Sequence, residues 1–381
     1  MRMKLAVVGV AAVAATSCGV ADSADATEVG RGQVATALND AVRLGFPGAQ
    51  AVIGDKDRTW TVHAGTGDLA THRPFADDAR VRIGSNTKTF VATVLLQLVA
   101  EGKVDLDAPV ERYLPGVVHG PGIDGNRISI RNLLQHTSGL PEYAAEFGEK
   151  PKPGQVEILS EHARWSTADI TEVVRDALTA PADFEPGTQW AYSNTNYALA
   201  GMVIEKITGA SVGAEITRRI LEPLGLHDTY YPDPTETDIR GPHPIGYTEI
   251  GGQRVDYTSQ NMSLAGAAGA IVGTGADLNR FFTALLNGKL LPPAQLAEMR
   301  KVRTIDEKGA MAYGLGLMRM STSCGREVWG HTGGTSGFLT FDGIAPATGR
   351  AVTITFNQDY VDKAHYPAGI RALETAICSG P

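Results

Sequence analysis

The sequence predicts an α/β protein, an α+β sandwich in which one antiparallel sheet is assembled from both ends of the chain and flanked by helices. Two observations support this prediction. Short β-type segments occur near the N-terminus and again after residue 310, whereas most of the chain between them has helical periodicity. Because sequential strands tend to share a sheet, this order indicates a mostly helical region inserted between the two halves of the sheet.

Composition limits the number of domains and the kinds of partner. With 381 residues, of which 43% are hydrophobic, the chain can bury a large core. A chain of this length forms one large domain or two intimate ones; we predict one domain over residues 27–381, with a helical subdomain at about 103–275. The formal net charge of -8 comes without acidic runs. It argues against nucleic acid and against an electrostatically held membrane surface, so a small or neutral substrate fits better.

Residues 1–26 have the features of an export signal. Two basic residues precede the apolar residues 5–15, a stretch too short to span a bilayer. Two cleavage positions are equally supported, because residues 24–26 form an A-x-A site and residues 15–18 resemble a bacterial lipobox with Ala where Leu is commoner. We expect a secreted or extracellular protein that is held at a membrane only if Cys18 is lipidated.

Cysteine usage points to one disulfide. Excision or lipidation removes Cys18, and this leaves Cys324 and Cys378 as an even pair in an oxidising compartment. We therefore predict a Cys324–Cys378 disulfide. The alternative is two buried free thiols.

The N-terminal elements follow from short periodic segments. Residues 34–44 have apolar side chains at helical spacing, and residues 85–101 continue as a helix until Gly102, which ends it in a left-handed conformation. Segments rich in β-branched and aromatic residues, separated by Gly and Asp turn residues, are predicted strands. These strands are 49–53, 60–63 and 81–83.

Helical periodicity dominates the middle of the chain. The predicted helices are 130–135, 167–178, 196–207, 212–221 and 277–286. The last of these is predicted to begin on its own capping residue, Asp277. The glycine-rich residues 264–275, "LAGAAGAIVGTG", indicate tight backbone packing. They do not form a phosphate-binding loop, because they lack the lysine of that motif.

The C-terminal part returns to strands and closes with a helix. The predicted strands are 313–318, 327–329, 338–341 and 351–356, and the predicted helix is 364–377.

A serine and a lysine stand three positions apart at the start of the 85–101 helix, in "GSNTKTF". At this spacing Ser85 and Lys88 share one helix face, and the unpaired N–H groups of the first turn favour a developing anion on the serine oxygen. A desolvated lysine loses its proton more easily and can then act as the base for the hydroxyl. The alternative is that Ser85 only caps the helix and Lys88 is solvated, since such a string occurs about once by chance in a chain of this length.

Two further motifs follow in a fixed order. "WAYSNTNYA" contains Tyr192-Ser193-Asn194, and "VWGHTGGTSG" contains His331-Thr332-Gly333 after a predicted strand. Taken singly, Tyr192 could be a buried aromatic residue, Asn194 a helix cap and His331 a hydrogen-bonded core residue.

Together the three motifs resemble the active-site set of the serine β-lactamases and D-alanyl-D-alanine peptidases, in the class C-like branch. The phrases "LLQHTSGLPEY", "EPGTQWAYSNTNY" and "YGLGL" extend the resemblance, which covers about residues 45–378. It implies a β-lactamase/transpeptidase-like fold and one catalytic domain. Secreted actinobacterial D-alanyl-D-alanine carboxypeptidases are similar in the histidine of the third motif, in a cysteine shortly before that motif and in another near the C-terminus, which Cys324 and Cys378 match here.

The resemblance implies roles for individual residues. Ser85 would be the nucleophile, Lys88 its proton acceptor and Tyr192 the group that passes a proton to the leaving amine. Asn194 would bind the substrate amide. The backbone N–H groups of Ser85 and Gly334 would form the oxyanion hole.

His331, Thr332 and Gly333 would line the opposite wall and bind the substrate, with a hydrogen bond from the first two to Tyr192 or to the substrate carboxylate. His136 in "LLQHTSGL" is expected to be structural. The remaining histidines have no ligand spacing, so neither a metal nor another cofactor is predicted.

The resemblance implies a D-alanyl-D-alanine carboxypeptidase that acts on peptidoglycan stem peptides and is acylated by β-lactams. Two departures weaken this expectation. Met318 occupies the position of an expected arginine, with Arg319 on the opposite strand face, and Gly334 replaces a threonine. The alternatives are an esterase, a β-lactamase or another D-amino-acid amide hydrolase of the same family, and a catalytically silent protein that binds β-lactams or wall fragments.

Overall fold

The computed structural model describes residues 21–55, 58–145, 150–360 and 364–379, with side chains from residue 28 onward. Most of the predicted export signal, including Cys18, lies outside the described residues.

Short strands occur in both halves of the chain. They are β1 Gly48–Asp55, β2 Arg58–Gly65, β3 Arg80–Arg82, β4 His119–Gly120, β5 Ile123–Asp124, β6 Tyr247–Ile250, β7 Gln253–Asp256, β8 Val272–Thr274, β9 Arg303–Thr304, β10 Met311–Tyr313, β11 Met318–Ser321, β12 Glu327–Gly330, β13 Thr332–Thr335, β14 Phe338–Ala345 and β15 Arg350–Phe356.

Helices flank the strands and fill the middle of the chain. They are α1 Ala21–Arg43, α2 Thr87–Ala100, α3 Ile130–Leu134, α4 Glu161–Trp165, α5 Ile170–Ala177, α6 Asn194–Thr208, α7 Val212–Ile216, α8 Glu222–Leu224, α9 Gly266–Gly269, α10 Gly275–Leu286, α11 Pro293–Met299 and α12 His365–Cys378. Turns of 3-10 helix occur at Gly84–Asn86 and Val110–Arg112.

The main sheet combines both ends of the chain, which confirms the predicted fold class. Within the described residues its strands run in the order β2-β1-β15-β14-β12-β11-β10-β9, and β13 also pairs with β14. Strand β1 lies antiparallel to β15, with Ala49 opposite Phe356 and Gly54 opposite Ala351. Between residues 103 and 275 the described elements are helices α3 to α9 and the short strands β4 to β8.

Alternation along the strands divides the core into two layers. Ala49, Ala51 and Ile53 of β1 pack with Val34 and Leu38 of α1 in one cluster, which also includes residues of α12. Helix α10 covers the other face of the sheet, where the side-chain amide of Asn279 donates to the carbonyl of Val52 at 3.0 Å.

Helix α2 lies at the centre of the second layer. Its residues from Thr87 to Leu96 are all buried, as expected for a helix that is apolar on every side. The ring of Phe90 stacks on Phe281 of α10 with 3.7 Å between ring centroids. A turn of 3-10 helix at Gly84–Asn86 precedes α2, and Gly102 follows its end with φ of 71°.

Several predicted boundaries are wrong. The predicted strand 313–318 spans the end of β10 and the start of β11, because a tight turn lies between them. Gly316 in that turn has φ of 69°, and its N–H donates to the carbonyl of Leu134 instead of to a strand neighbour. Strand β13 was not predicted, since the two central residues of its sequence Thr-Gly-Gly-Thr are glycines, which are depleted in strands.

Three helices begin earlier than predicted, and one of them is α6, which begins at Asn194 instead of at residue 196. Helix α10 begins at Gly275, and its cap is Thr274, whose hydroxyl accepts a hydrogen bond from the backbone N–H of Asp277. Helix α1 begins at Ala21, although the apolar pattern starts only at Val34. No helix in the described ranges is both long and apolar enough to traverse a bilayer.

Cys324 and Cys378 are joined by a disulfide with 6.1 Å between their Cα atoms. The bond ties the turn between β11 and β12 to the end of α12, across 54 residues of sequence. A link over a chain segment of this length restricts the unfolded state and stabilises the fold by about 2–4 kcal/mol.

We predict that intact-mass analysis of the purified protein before and after reduction will differ by two hydrogens. Reduction should also lower the free energy of unfolding by about 2–4 kcal/mol in a denaturant titration. The Cys324→Ser/Cys378→Ser variant serves as the control, because reductant should not change its stability. Labelling of free thiols in the unreduced protein would contradict the pairing.

Candidate active site

The predicted nucleophile lies where three parts of the fold converge. Ser85 occupies the turn that leads from β3 into α2, where backbone N–H groups have no intrahelical acceptor. Gly84 has φ of 53°, and a Cβ atom there would lie 2.6 Å from the backbone nitrogen of Gly334. Only glycine permits this approach, which brings the backbone of β13 beside the turn that holds Ser85.

Lys88 is fully buried one helical turn beyond Ser85. Its Nζ lies 3.0 Å from Ser85 Oγ, 2.7 Å from Asn194 Oδ1 and 2.7 Å from the carbonyl oxygen of Ala268. The Asn194 and Ala268 oxygens can only accept, whereas a serine hydroxyl can donate or accept. An ammonium therefore donates to all three groups, and a neutral amine can accept the proton of Ser85.

Burial lowers the pKa of Lys88 from 10.5 to about 7, although the negative charge of Glu142 acts in the opposite direction. A substantial fraction of the amine is therefore neutral near pH 7. This is the form that can take a proton from Ser85.

Asn194 bridges Lys88 to a carboxylate that the sequence analysis did not identify. Its side-chain Nδ2 donates to Glu142 Oε2 at 3.1 Å, and its backbone N–H donates to the same oxygen at 2.6 Å. These contacts fix the orientation of the amide. They also leave only one N–H of Nδ2 for a substrate carbonyl.

Burial raises the pKa of Glu142, while hydrogen bonds from the backbone of Ala144 and Asn194 and the charge of Lys88 oppose the increase. Glu142 is the one acidic residue in the phrase "LLQHTSGLPEY". An acidic residue within an otherwise uncharged motif is a signal that could have identified Glu142 as part of the site.

His136 positions the second motif. It is fully buried in a left-handed conformation with φ of 58°. Its Nδ1 accepts a hydrogen bond from the backbone N–H of Ser193 at 3.2 Å and lies 3.1 Å from Asn196 Nδ2. Its ring also lies 4.3 Å from the ring of Tyr192, measured between centroids. These contacts agree with the structural role expected for His136.

Tyr192 stands above the Ser85–Lys88 pair. Its ring centroid is 4.8 Å from Lys88 Nζ. About 36% of the residue is exposed at the mouth of the site, yet burial and the neighbouring Tyr313 raise the pKa of its hydroxyl well above 10, with a partial offset from a hydrogen bond to Ser85. The phenol is therefore protonated at neutral pH.

His331 occupies the break between β12 and β13, and its partner differs from the expected one. Its Nε2 lies 2.9 Å from the hydroxyl of Tyr313, and its Nδ1 lies 2.6 Å from the carbonyl of Thr332. The ring of Tyr192 is 6.5 Å away between centroids. Burial lowers the pKa of His331 to about 3, so the imidazole is neutral.

The other residues of the third motif have different surroundings. Thr332 lines a cavity next to Ser85. Gly333 is buried, and a Cβ atom on it would lie 1.9 Å from the carbonyl of Ile83. Gly333 therefore permits close packing of β13 on Ile83, the residue that follows β3, and it does not line this cavity.

Two cavities open on either side of Ser85. The aromatic cavity has a volume of about 360 Å³, and its walls include Trp190, Tyr192, Tyr313, His331, Tyr360 and Tyr366. The amide cavity has a volume of about 150 Å³, and its walls include Tyr143, Arg164, Tyr257, Gln260, Asn261 and Met262. Asn194 and Gly334 line both.

Met318 contributes an uncharged thioether to the aromatic cavity. Arg319 pairs with Trp329 in the sheet and projects to the opposite face, as expected for the next residue of a strand. Among the described residues, the aromatic cavity has no lysine or arginine in its walls. Nor do the described ranges contain a cluster of three or more His, Cys, Asp or Glu side chains arranged to hold a metal ion.

A serine at a helix start, a buried lysine one turn later and a tyrosine above both define a serine hydrolase of the penicillin-recognising class. The β-lactamase family model matches residues 26–376, and the chain belongs to this family.

Solved and curated relatives of the chain differ in activity. A D-stereospecific amidohydrolase from Streptomyces sp. is 40% identical with a TM-score of 0.81, and the match covers 92% of this chain and 99% of that one. Esterase EstB of Burkholderia gladioli is 36% identical over 43% of this chain and 41% of its own length. A penicillin-binding protein of Bacillus subtilis is 26% identical over 83% of this chain and 69% of its own length.

We predict that acylation of Ser85 by a penicillin becomes faster as pH rises through about 7, because the neutral form of Lys88 is the base. In the Glu142→Gln variant the midpoint should move to lower pH, since the carboxylate that raises the pKa of Lys88 is gone. Stopped-flow acylation rates measured from about two pH units below to about two above the lowered pKa of Lys88 would test this.

The matched control is Glu172→Gln, which removes one negative charge from an exposed position on α5. Its profile should overlay that of the wild type. An unchanged or higher midpoint in Glu142→Gln would show that Glu142 does not act on Lys88.

Proposed function

We propose that this protein hydrolyses amides and esters of D-amino acids through an acyl-enzyme on Ser85. The observation that supports this proposal is the absence of a lysine or arginine from the described walls of the aromatic cavity, which adjoins the nucleophile. The similarity to a D-stereospecific amidohydrolase, at 40% identity, supports the same substrate class.

The contacts of Ser85 favour Lys88 as the base over Tyr192. Lys88 has a lowered pKa and lies within hydrogen-bond distance of the serine oxygen. Tyr192 has a raised pKa and therefore carries a proton at neutral pH. In the proposed reaction Lys88 accepts the proton of Ser85, and Tyr192 delivers a proton to the departing nitrogen or oxygen.

Two backbone N–H groups would stabilise the tetrahedral intermediate. The N–H of Ser85 belongs to a helix start, and the N–H of Gly334 is brought beside it by the close approach of Gly84. Donors of this kind each contribute about 2.7–4 kcal/mol to transition-state stabilisation in hydrolases. Water would then release the acyl group.

Electrostatics favours an uncharged leaving group in the aromatic cavity. A terminal carboxylate would lie against the neutral His331 and the thioether of Met318, and desolvating an anion without a cationic partner is unfavourable. The carboxylate of Glu142 adds negative potential near Lys88. An amide nitrogen or an alkoxy group carries no such cost.

The amide cavity would receive the acyl part of the substrate. Its walls combine apolar side chains with Arg164, whose guanidinium stacks 4.5 Å from the ring centroid of Tyr257. The remaining N–H of Asn194 Nδ2 can donate to a substrate carbonyl there. The proposed preference for the D configuration is based on the similarity to the D-stereospecific amidohydrolase.

A D-alanyl-D-alanine carboxypeptidase is the second candidate. It is supported by the Tyr192-Ser193-Asn194 and His331-Thr332-Gly333 motifs and by the hydroxyl of Thr332 in the aromatic cavity. Residues 1–26 support secretion, and secretion is compatible with both candidate activities. β-Lactams would acylate Ser85 in both cases.

We predict that the purified protein cleaves D-phenylalanine amide and its methyl ester more efficiently than the L-enantiomers, and more efficiently than a peptide ending in D-alanyl-D-alanine. The measurement is kcat/KM for each substrate. Ser85→Ala should lower kcat/KM by at least about 10³-fold and abolish labelling by a fluorescent penicillin, because it removes the nucleophile. Ser211→Ala, which removes the capping hydroxyl of α7, should leave both unchanged.

Other results would identify the alternatives. Rapid turnover of the penicillin would indicate a β-lactamase, and a higher kcat/KM on the D-alanyl-D-alanine peptide would indicate the carboxypeptidase. Labelling without hydrolysis of any substrate would indicate a binding protein. Unchanged hydrolysis in Ser85→Ala would exclude the acyl-enzyme.

A further inference from the structure

Both nitrogens of the His331 imidazole are occupied by protein groups. Nδ1 lies 2.6 Å from the carbonyl oxygen of Thr332, and Nε2 lies 2.9 Å from the hydroxyl of Tyr313. Tyr313 is buried at the end of β10, and its ring packs edge-on against the imidazole at 5.6 Å between centroids. A ligand in the aromatic cavity therefore meets a histidine whose polar atoms are already in use.

The chemistry of these contacts fixes the tautomer. A carbonyl oxygen only accepts, so Nδ1 carries the proton. In a neutral imidazole the other nitrogen, Nε2, is then an acceptor, and Tyr313 must donate its hydroxyl proton to it.

The neighbouring Tyr197 does not alter this assignment. Its hydroxyl donates to the carbonyl of Leu134 at 2.9 Å, so its oxygen can only accept a further hydrogen bond. If Tyr313 donated to Tyr197 instead, Nε2 and the Tyr313 oxygen would face each other as two acceptors. Donation to His331 avoids that repulsion.

We propose that Tyr313 is a positioning and specificity-determining residue, which holds His331 as a neutral acceptor and keeps its Nε2 away from substrate carboxylates. This inference rests on the proposed function, because it explains why the aromatic cavity accepts uncharged leaving groups. It assigns a role to the first residue of "YGLGL", which contacts His331 18 residues further along the chain.

Burial of His331 also favours the neutral imidazole, since it lowers the pKa of the ring to about 3. The other titratable groups around His331 do not restore its positive charge. The charge of Lys88 disfavours a second cation, and burial raises the pKa of the carboxyl group of Asp342 well above its ordinary value. The titratable groups that face or surround His331 are Lys88, His136, Tyr192, Tyr313 and Asp342.

The tautomer can be measured in the wild-type protein itself. Nitrogen-15 NMR of histidine-labelled protein, with His331→Gln to assign the signal among nine histidines, distinguishes the two ring nitrogens. We expect a protonated Nδ1 and an unprotonated, hydrogen-bonded Nε2 for His331, without titration near the ordinary histidine pKa of about 6.5. A protonated Nε2 would overturn the proposal.

Tyr313→Phe tests the consequence for substrates. It removes the hydroxyl beside Nε2 and lets a carboxylate reach the ring, where the negative charge favours an imidazolium. For a peptide ending in D-alanyl-D-alanine we expect KM to fall roughly tenfold at pH 5.5, and less at pH 8, because a charge-assisted hydrogen bond forms only when His331 is protonated. KM for D-phenylalanine amide should stay within about twofold of the wild type.

Tyr197→Phe is the matched control. It removes a buried phenol hydroxyl from the same aromatic cluster, but one that does not contact His331. Its KM ratio between the two substrates should equal that of the wild type at both pH values. Equal ratios in Tyr313→Phe and wild type would refute the role in specificity, and a purely structural role would change both variants alike.

The two proposals fail in different ways. If the wild type cleaves neither D-amino acid amides nor esters, the proposed function is wrong, and the NMR result on His331 still decides the tautomer. If the wild type cleaves them but Nε2 is protonated, the proposed function stands and the role of Tyr313 is wrong.

Discussion

The site depends on one buried amine. Lys88 lies in the interior, and three oxygen atoms from separate parts of the chain surround it: Ser85 Oγ, Asn194 Oδ1 and the carbonyl of Ala268. Burying an ammonium is unfavourable, so the environment lowers its pKa while the hydrogen bonds keep it in place. A lysine in water would hold its proton at neutral pH and could not activate a serine. The fold therefore serves to exclude water from this amine and to supply acceptors at the right distances.

Close backbone packing makes that arrangement possible. The glycine-rich residues 264–275 contain α9, whose Ala268 carbonyl reaches Lys88, and a Cβ atom on Gly269 would lie 3.7 Å from the backbone of Gly84. On the other side, Gly333 lets β13 pack against the carbonyl of Ile83. Small residues thus let three backbone segments meet at the nucleophile turn. A side chain at Gly84 or Gly333 would separate Ser85 from the backbone of Gly334, because a Cβ atom there would lie only 2.6 Å or 1.9 Å from a backbone atom of the facing segment.

Charge is distributed unevenly around the nucleophile. On the Asn194 side, Glu142 and Lys88 face each other through one amide, and each affects the protonation of the other. On the opposite side, His331 is neutral and held by Tyr313. This asymmetry supports the proposal that Lys88 activates Ser85 and that the aromatic cavity receives uncharged groups.

The local features of the site and of the sheet could be predicted from the sequence. The spacing of Ser85 and Lys88 places them on one helix face because of helical periodicity. The order of the elements, with strands at both ends and helices between them, predicts a shared sheet. The groups that surround Ser85 and Lys88 could not be predicted, because they depend on how distant segments pack. Glu142 contacts Asn194 across 52 residues, and Tyr313 contacts His331 from another strand. Such side-chain contacts have no periodic signal, and burial, which sets the pKa of Lys88, exists only once the separate segments have packed together.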